Sequence, residues 1–276
     1  MTVGEALREA AARLGTDWAR DEAEMLMAHA LGVTRSAMLL GHMRNAPPAS
    51  FAPMLERRLA HEPIAYILGE GEFFGRRFAV TPDVLIPRGD SETTLSTALD
   101  AAPGARRILD CGTGSGILLL TLLAELPSAS GCGIDRSAPA LAVAAANARA
   151  LGLGPRAELR VQDWNDPAWA LDLGRFDLVV SNPPYVEDDA ELDASVRDFE
   201  PHGALFAGPD GLADYRALIP QLPSLLMPDG IAVLEIGYRQ AEAVAALAAA
   251  AGFVATLRHD LAGRPRALML VRKKRG

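Results

Sequence analysis

The sequence predicts an α/β fold: a seven-stranded, mostly parallel sheet with helices on both faces, ending in an antiparallel hairpin and preceded by a small helical N-terminal domain. Three observations predict it. From Arg106 on, short β-branched runs alternate with helical segments, as in a parallel sheet wound with crossover helices. Over the first seventy or so residues, apolar side chains instead recur at helical spacing. The chain is also 276 residues long, more than one typical domain of ~100–150, so two unequal parts are expected.

Val3, Leu7, Ala10, Ala11 and Leu14 form one helical stripe, with Gly15 as its stop. Ala23, Leu26, Met27, Ala30 and Leu31 repeat the pattern up to Gly32. Thr34 caps a short helix through Leu40. Pro47 and Pro48 precede a fourth helix with Phe51, Met54, Leu55 and Leu59 on one face. This bundle either packs on the rest of the chain or recognises a partner, and both readings stand. Ile64–Ile86 differs: Gly69, Gly71 and Gly75 punctuate Phe73, Phe74, Phe78 and Val80, which reads as a β-hairpin or extended connector. Domain boundaries are therefore expected at 1–72, 73–87 and 88–276.

Strands are expected at Arg106–Cys111, Gly131–Asp135, Ala157–Val161, Phe176–Ser181, Ile231–Ile236, Phe253–Arg258 and Arg266–Val271. Helices are expected at Ser115–Leu126, Ala138–Leu151, Leu212–Leu226 (broken at Pro220 or Pro223) and Gln240–Ala251. Asp260–Pro265 is too short for a helical crossover, so the last two strands pair antiparallel.

Half the residues are hydrophobic, which supports a sizeable core and excludes wholesale disorder. No apolar run reaches the ~18 residues of a membrane span. No signal pattern opens the chain, and Cys111 and Cys132 are too few for a zinc site or a disulfide framework; a cytoplasmic protein is expected. The net charge is -8. Residues 1–75 hold 7 basic and 10 acidic residues, and residues 76–276 hold 20 and 25, so neither part is a nucleic-acid platform. The basic run Arg272–Arg275 reads as a solvated tail. The five histidines are scattered singly and suggest no metal site, and no feature demands more than a monomer.

Two loops carry the chemistry. Asp110-Cys111-Gly112-Thr113-Gly114-Ser115-Gly116 runs from a strand through a glycine turn into a helix. Glycines let the backbone approach a ligand, and the helix start offers free N–H groups. The spacing is G-x-G-x-G, with Ile117 where the dinucleotide fingerprint wants glycine, which disfavours a nucleotide-dependent dehydrogenase. A nucleoside with a cationic, phosphate-free tail fits better, and S-adenosylmethionine has that shape. Asp135 ends the next strand, where a carboxylate suits both ribose hydroxyls better than a mere helix cap. Trp164 either packs on the cofactor or covers the core.

Ser181-Asn182-Pro183-Pro184-Tyr185 follows the fourth strand, and in a parallel sheet ligands sit beyond the carboxyl ends of the strands. The prolines stiffen this loop and leave carbonyl acceptors without N–H donors. Asn182 adds a side-chain carbonyl and Tyr185 a flat face. This inventory suits a planar conjugated –NH2 group whose two N–H bonds are held by acceptors, so that its lone pair can meet an electrophilic methyl without a strong base.

With these residues in view, the sequence resembles class I S-adenosylmethionine-dependent amino-methyltransferases, through Asp-x-Gly-Thr-Gly-x-Gly, the following Asp and Asn-Pro-Pro-Tyr. More narrowly it resembles the PrmC/HemK family of peptide-chain release factor glutamine methyltransferases. That likeness is carried by Pro63–Gly69, Phe73–Gly75, Leu85–Glu92, Glu200-Pro201, Asp210–Leu212, Glu235–Tyr238 and Asp260–Gly263. Gly89 and Ser91 depart from the family's Pro and Thr, and Ser91 keeps a hydroxyl. The resemblance implies a Rossmann-like methyltransferase domain behind a helical substrate-recognition domain. It implies methyl transfer from S-adenosyl-L-methionine, with S-adenosyl-L-homocysteine as product, to the glutamine amide nitrogen of the Gly-Gly-Gln motif in class 1 release factors. Gly112, Thr113, Gly114, Ser115, Gly116, Asp135, Trp164 and Asn182 would hold the cofactor. Asn182, Pro183, Pro184 and Tyr185 would form the catalytic amide pocket.

An adenine amino-methyltransferase of DNA or RNA can use the same four-residue loop on a flipped base, but should carry a basic recognition region. A regulator that has lost catalysis would not need the intact loop. The acids Glu187, Asp188, Asp189, Glu191, Asp193, Asp198 and Glu200, opposed by Arg197, read as a solvated loop or as a docking surface for basic residues of a protein substrate. Arg88 either pairs with a carboxylate or caps the hairpin.

Overall fold

A computed structural model describes residues 1–273. By compactness the chain forms two units: residues 1–70 with 192–199, and residues 71–191 with 200–276.

The first unit contains α1 (Val3–Leu14), α2 (Ala19–Leu31), α3 (Arg35–Gly41), α4 (Phe51–Leu59) and α5 (Ile64–Leu68). Thr2 and Glu5 cap α1 reciprocally: each side chain accepts from the other's backbone N–H, at 3.3 and 2.7 Å. Gly15 and Gly32 close α1 and α2 in left-handed conformations, as their positions after the apolar stripes predict. Thr34 caps α3. Val3, Leu7, Leu26, Met27, Met38, Phe51, Leu55 and Ile67 form the core. Ile64–Leu68 is a helix rather than part of a hairpin. Pro63 stands at its N-cap, Gly69 ends it, and Tyr66 and Ile67 are buried.

The second unit begins with the short hairpin of β1 (Glu70–Phe73) and β2 (Arg76–Ala79), followed by α6 (Ser91–Ala101). The periodicity did not predict α6, because its sequence Ser-Glu-Thr-Thr-Leu-Ser-Thr is poor in helix formers. It forms because Leu95 and Ala98 bury in the core, where tertiary packing overrides propensity. The sheet then unfolds through β3 (Arg107–Cys111), α7 (Ile117–Glu125), β4 (Ser130–Asp135), α8 (Ala138–Ala150), β5 (Ala157–Val161) and β6 (Phe176–Ser181). A four-residue helix, α9 (Ala194–Arg197), lies in the segment grouped with the first unit.

The segment expected as one helix over Leu212–Leu226 breaks into α10 (Ala213–Leu218), a 3-10 turn at Ile219–Gln221 and α11 (Leu222–Leu225), because Pro220 and Pro223 each open a new helical turn. The next strand, β7 (Leu226–Glu235), starts earlier than Ile231 and absorbs its extra residues in a register shift opposite Phe176–Leu178. After α12 (Ala241–Ala250), β8 (Phe253–His259) and β9 (Pro265–Arg272) close the sheet.

The sheet order is β5-β4-β3-β6-β7-β9-β8, with β5, β4, β3, β6 and β7 parallel and β9 antiparallel to both β7 and β8. One face packs Leu109, Val179, Leu234 and Tyr215, and the other packs Ile108, Leu119, Val180 and Leu95. The expected basic tail lies only partly within the described residues. Within them Arg272 is not simply solvated, since its guanidinium donates to the Leu226 carbonyl at 2.8 Å and to that of Pro223. Among the described residues no helix is long and apolar enough to cross a membrane.

Candidate active site

The winding of the sheet reverses between β3 and β6, which lie side by side. Loops at the carboxyl ends of such a pair form the crevice where ligands bind in doubly wound sheets. Ser181 ties the two strand ends together, its hydroxyl donating to the Cys111 carbonyl at 2.6 Å. The glycine turn follows β3 and the Asn-Pro-Pro-Tyr loop follows β6.

A cavity of about 310 Å³ opens here, within the second unit. Gly112, Thr113, Gly114, Ser115, Asp135, Trp164, Asn182 and Pro184 line it. Gly116, Pro183 and Tyr185 are not in its wall. Gly116 serves packing instead. At φ +86° it starts α7, and a Cβ there would stand 2.8 Å from Leu120 Cδ1. Tyr185 supports the loop from behind. Its N–H donates to the Leu205 carbonyl at 3.1 Å, and burial pushes its phenol well above the usual range.

The glycine turn is shaped by what touches it. Gly112 has φ +73°, and a Cβ would meet the Trp164 ring at 3.1 Å. The Gly114 N–H donates to Asp135 Oδ2 at 3.0 Å, while Asp135 Oδ1 accepts from the Ser137 N–H at 2.9 Å. Capping of α8 falls to Ser137, whose Oγ accepts from the Ala140 N–H at 3.2 Å. Asp135 is therefore held by backbone donors beside the cavity and does not serve as the cap itself. Trp164 lines the cavity and also packs against the core, as the core-covering reading expects. Its Nε1–H donates to Asp214 Oδ1 at 2.9 Å.

Three groups that sequence reasoning did not single out complete the site. Asp110, fully buried, lines the cavity; its Oδ2 accepts from the Thr113 hydroxyl at 2.7 Å and the Leu119 N–H at 3.3 Å. Its Oδ1 has no partner among the described residues. Burial, helped by the Asp135 charge, pushes the Asp110 carboxyl up to about 7 against the two hydrogen bonds that lower it. Asn147 clips the glycine turn to the hairpin, its Nδ2 donating to the carbonyls of Ser115 at 2.8 Å and Ala79 at 3.0 Å. Gln240 joins three loops: Nε2 donates to the carbonyls of Tyr185 at 3.0 Å and Gly211 at 3.1 Å, and Oε1 accepts from the Gly237 N–H at 3.0 Å. The first Asp of the Asp-x-Gly turn was a legible signal for Asp110; no local pattern marks the other two.

Arg88 pairs with Glu200, which also accepts from the Ile86 N–H at 3.1 Å. This decides the two readings of Arg88. It also removes Glu200 from the acidic loop, because its side chain is buried and ion-paired rather than solvated. The remaining acids divide between the two units.

These walls offer what a nucleoside with a cationic tail needs: a glycine turn that a ligand can approach closely, a carboxylate fixed at a strand end, an aromatic ring and a second carboxylate with an unpaired oxygen. Asn182 and Pro184 add acceptors to the same cavity.

Comparison with known proteins agrees with this arrangement. The PrmC N-terminal domain model matches residues 5–69, and the methyltransferase small domain model matches residues 90–204. A release factor glutamine methyltransferase from Cereibacter sphaeroides is 45% identical over 96% of this chain and 97% of its own. One from Rhodospirillum rubrum is 41% identical over 100% of this chain and 87% of its own. In fold, the chain resembles the ribosomal protein L11 methylase of Lactobacillus delbrueckii subsp. bulgaricus, with a TM-score of 0.50 and 24% identity over 71% of this chain and 84% of that one. With identity at this level over nearly full lengths, the chain belongs to the release factor glutamine methyltransferase family.

Proposed function

We propose that this protein transfers the methyl group of S-adenosyl-L-methionine to the side-chain amide nitrogen of the glutamine in the Gly-Gly-Gln motif of class 1 peptide-chain release factors. The observation that carries the reading is the shared cavity: Asn182 and Pro184 line the same space as the glycine turn and Asp135. When bound, S-adenosylmethionine supplies a methyl group on an activated sulfonium and leaves as S-adenosylhomocysteine.

The fit rests on the chain's own groups. Asp135 accepts from ribose hydroxyls, the Gly112–Ser115 turn follows the nucleoside, and Trp164 offers a flat wall. The orphaned Oδ1 of Asp110 suits a cationic tail. At the substrate end, Asn182 Oδ1 accepts one amide N–H. Pro183 and Pro184, having no N–H of their own, leave their stretch of backbone as acceptors for the other. Holding both hydrogens draws the planar nitrogen toward a tetrahedral shape and aims its lone pair, so orientation replaces a general base. The acidic balance of both parts disfavours a DNA or RNA adenine as the acceptor.

The test is labelled-methyl transfer to purified class 1 release factor and, separately, to duplex DNA, followed by mapping of the labelled residue. Label on the Gly-Gly-Gln glutamine is expected; label on DNA alone overturns the reading. Asn182→Ala should nearly abolish transfer while leaving cofactor affinity largely intact.

A further inference from the structure

Residues 162–175, between β5 and β6, contain no helix or strand, yet they carry Trp164 on the cavity wall. A segment without a backbone ladder of its own needs other groups to hold a ring in one plane. The segment 213–221 supplies them from outside the cavity wall. Tyr215 seats that segment on the sheet: its side chain is fully buried, and its hydroxyl donates to the Glu235 carbonyl at 2.8 Å. Leu218 and Ile219 are buried beside it.

Two side chains reach from this seat to residue 164. Gln221 Nε2 donates to the Trp164 carbonyl at 2.9 Å and to the Ala217 carbonyl at 2.7 Å, and Gln221 Oε1 accepts from the Trp169 Nε1–H. These bonds place the backbone but leave the Trp164 indole free to turn about its side-chain torsions. Asp214, half-buried and not itself in the cavity wall, takes up that freedom. Its Oδ1 accepts from the Trp164 Nε1–H at 2.9 Å, the one hydrogen bond to the Asp214 side chain from another side chain among the described residues. At the opposite edge of the ring, Cη2 and Cζ3 lie against Gly112, where an added Cβ would stand 3.1 and 3.4 Å away. The indole is thus held at both ends, by a hydrogen bond at the nitrogen and by a close contact at the far edge. The indole nitrogen has a single hydrogen to donate, so one acceptor decides where that edge points.

We propose that Asp214 is a positioning residue for the cofactor: through the Trp164 Nε1–H it holds the indole plane against Gly112, so that the nucleoside of S-adenosylmethionine meets a wall already in place. This rests on the reading of Trp164 as that wall and explains how the wall is set. A ring fixed before the ligand arrives does not have to be ordered by it, so the ordering cost of a large side chain is removed from binding. The effect falls on cofactor affinity and not on methyl transfer once the cofactor is seated.

The experiment measures S-adenosylhomocysteine affinity by isothermal calorimetry, and kcat for methyl transfer to full-length release factor at saturating S-adenosylmethionine. Asp214→Ala should weaken affinity about tenfold, the scale of one hydrogen bond to a charged group, with kcat within about twofold of wild type. Asp214→Asn, which keeps an acceptor oxygen, should stay within about threefold of wild type in affinity. The decisive comparison uses Trp164→Phe, which keeps a flat ring and removes the N–H. In that background Asp214→Ala should change affinity by less than about twofold, whereas a purely structural role for Asp214 would survive the replacement. An affinity of Asp214→Ala within about twofold of wild type, a loss in Asp214→Asn as large as in Asp214→Ala, or an undiminished effect in the Trp164→Phe background overturns the proposal. Trp164→Ala separates the two layers. If it binds S-adenosylhomocysteine as tightly as wild type, the reading of Trp164 as a cofactor wall fails. If it binds weakly while Asp214→Ala binds as wild type does, only the positioning role fails.

Discussion

Gly211 lies directly against the Tyr185 carbonyl. At φ +64° a Cβ on Gly211 would fall on that oxygen and stand 2.6 Å from Gln240 Nε2. Gly211→Ala should therefore displace the Asn-Pro-Pro-Tyr loop as well as strain its own backbone, which alone costs about 1 kcal/mol or more. Turnover is expected to fall at least tenfold, with cofactor affinity changed much less; single-turnover kinetics beside calorimetry reads both. Equal losses in the two would point to general unfolding.

Asp135→Ala removes the carboxylate that orients Gly114 and, in the proposed function, receives the ribose. Cofactor affinity should weaken by an order of magnitude or more, measured by isothermal calorimetry. Unchanged affinity would remove the ribose assignment.

Asp110 predicts a pH dependence of cofactor binding. Its carboxyl, raised to about 7, is half protonated near neutrality in the free enzyme. A cationic ligand favours the ionised form, so binding releases a proton. Affinity should then be highest above pH 7 and weaken toward about tenfold per unit below it. Titrations in buffers of different ionisation enthalpy detect the proton; Asp110→Asn should abolish its release.

Glu235 predicts the sign of a stability change. Its folded value of about 7 exceeds the ordinary 4.5, so between these pH values the folded protein holds a proton that the unfolded chain has lost. Stability contributed by this group is present at low pH and is lost as pH rises from 4.5 through 7. At pH 8 Glu235→Gln, free of that penalty, should be more stable, by up to about 3 kcal/mol on the scale of 1.36 kcal/mol per unit. Denaturant melts at pH 5 and pH 8 test it: the variant's advantage should shrink at the lower pH.

The sheet was legible because its pattern is local. Phe176–Ser181 and its neighbours announce themselves by β-branched runs, and Gly15 and Gly32 announce helix ends. The two cavity loops were legible for the same reason, since each is a contiguous motif at a strand end. Positions that act across long separations were not. Ser91 reaches Asn182 across 91 residues, and Asn147 reaches Ala79 across 68. A buried polar group finds its partner wherever the fold supplies one, and no spacing along the chain encodes that choice. Gly116 and Tyr185 show the converse: motif membership marked them, yet one packs a helix and the other braces a loop.

Gln240 has a consequence for how the catalytic edge moves. One side-chain amide closes on the Tyr185 segment, the Gly211 turn and the Gly237 turn together. All three share one anchor, so when the Gln240 side chain leaves its seat each loses a bond at the same moment, and they should breathe as one cooperative unit. In amide hydrogen exchange, Gly237 and the N–H groups of Val186 and Asp188, bonded to Leu205 and Gly208, should share one opening rate. A substrate amide then meets a rim that is either wholly assembled or wholly open.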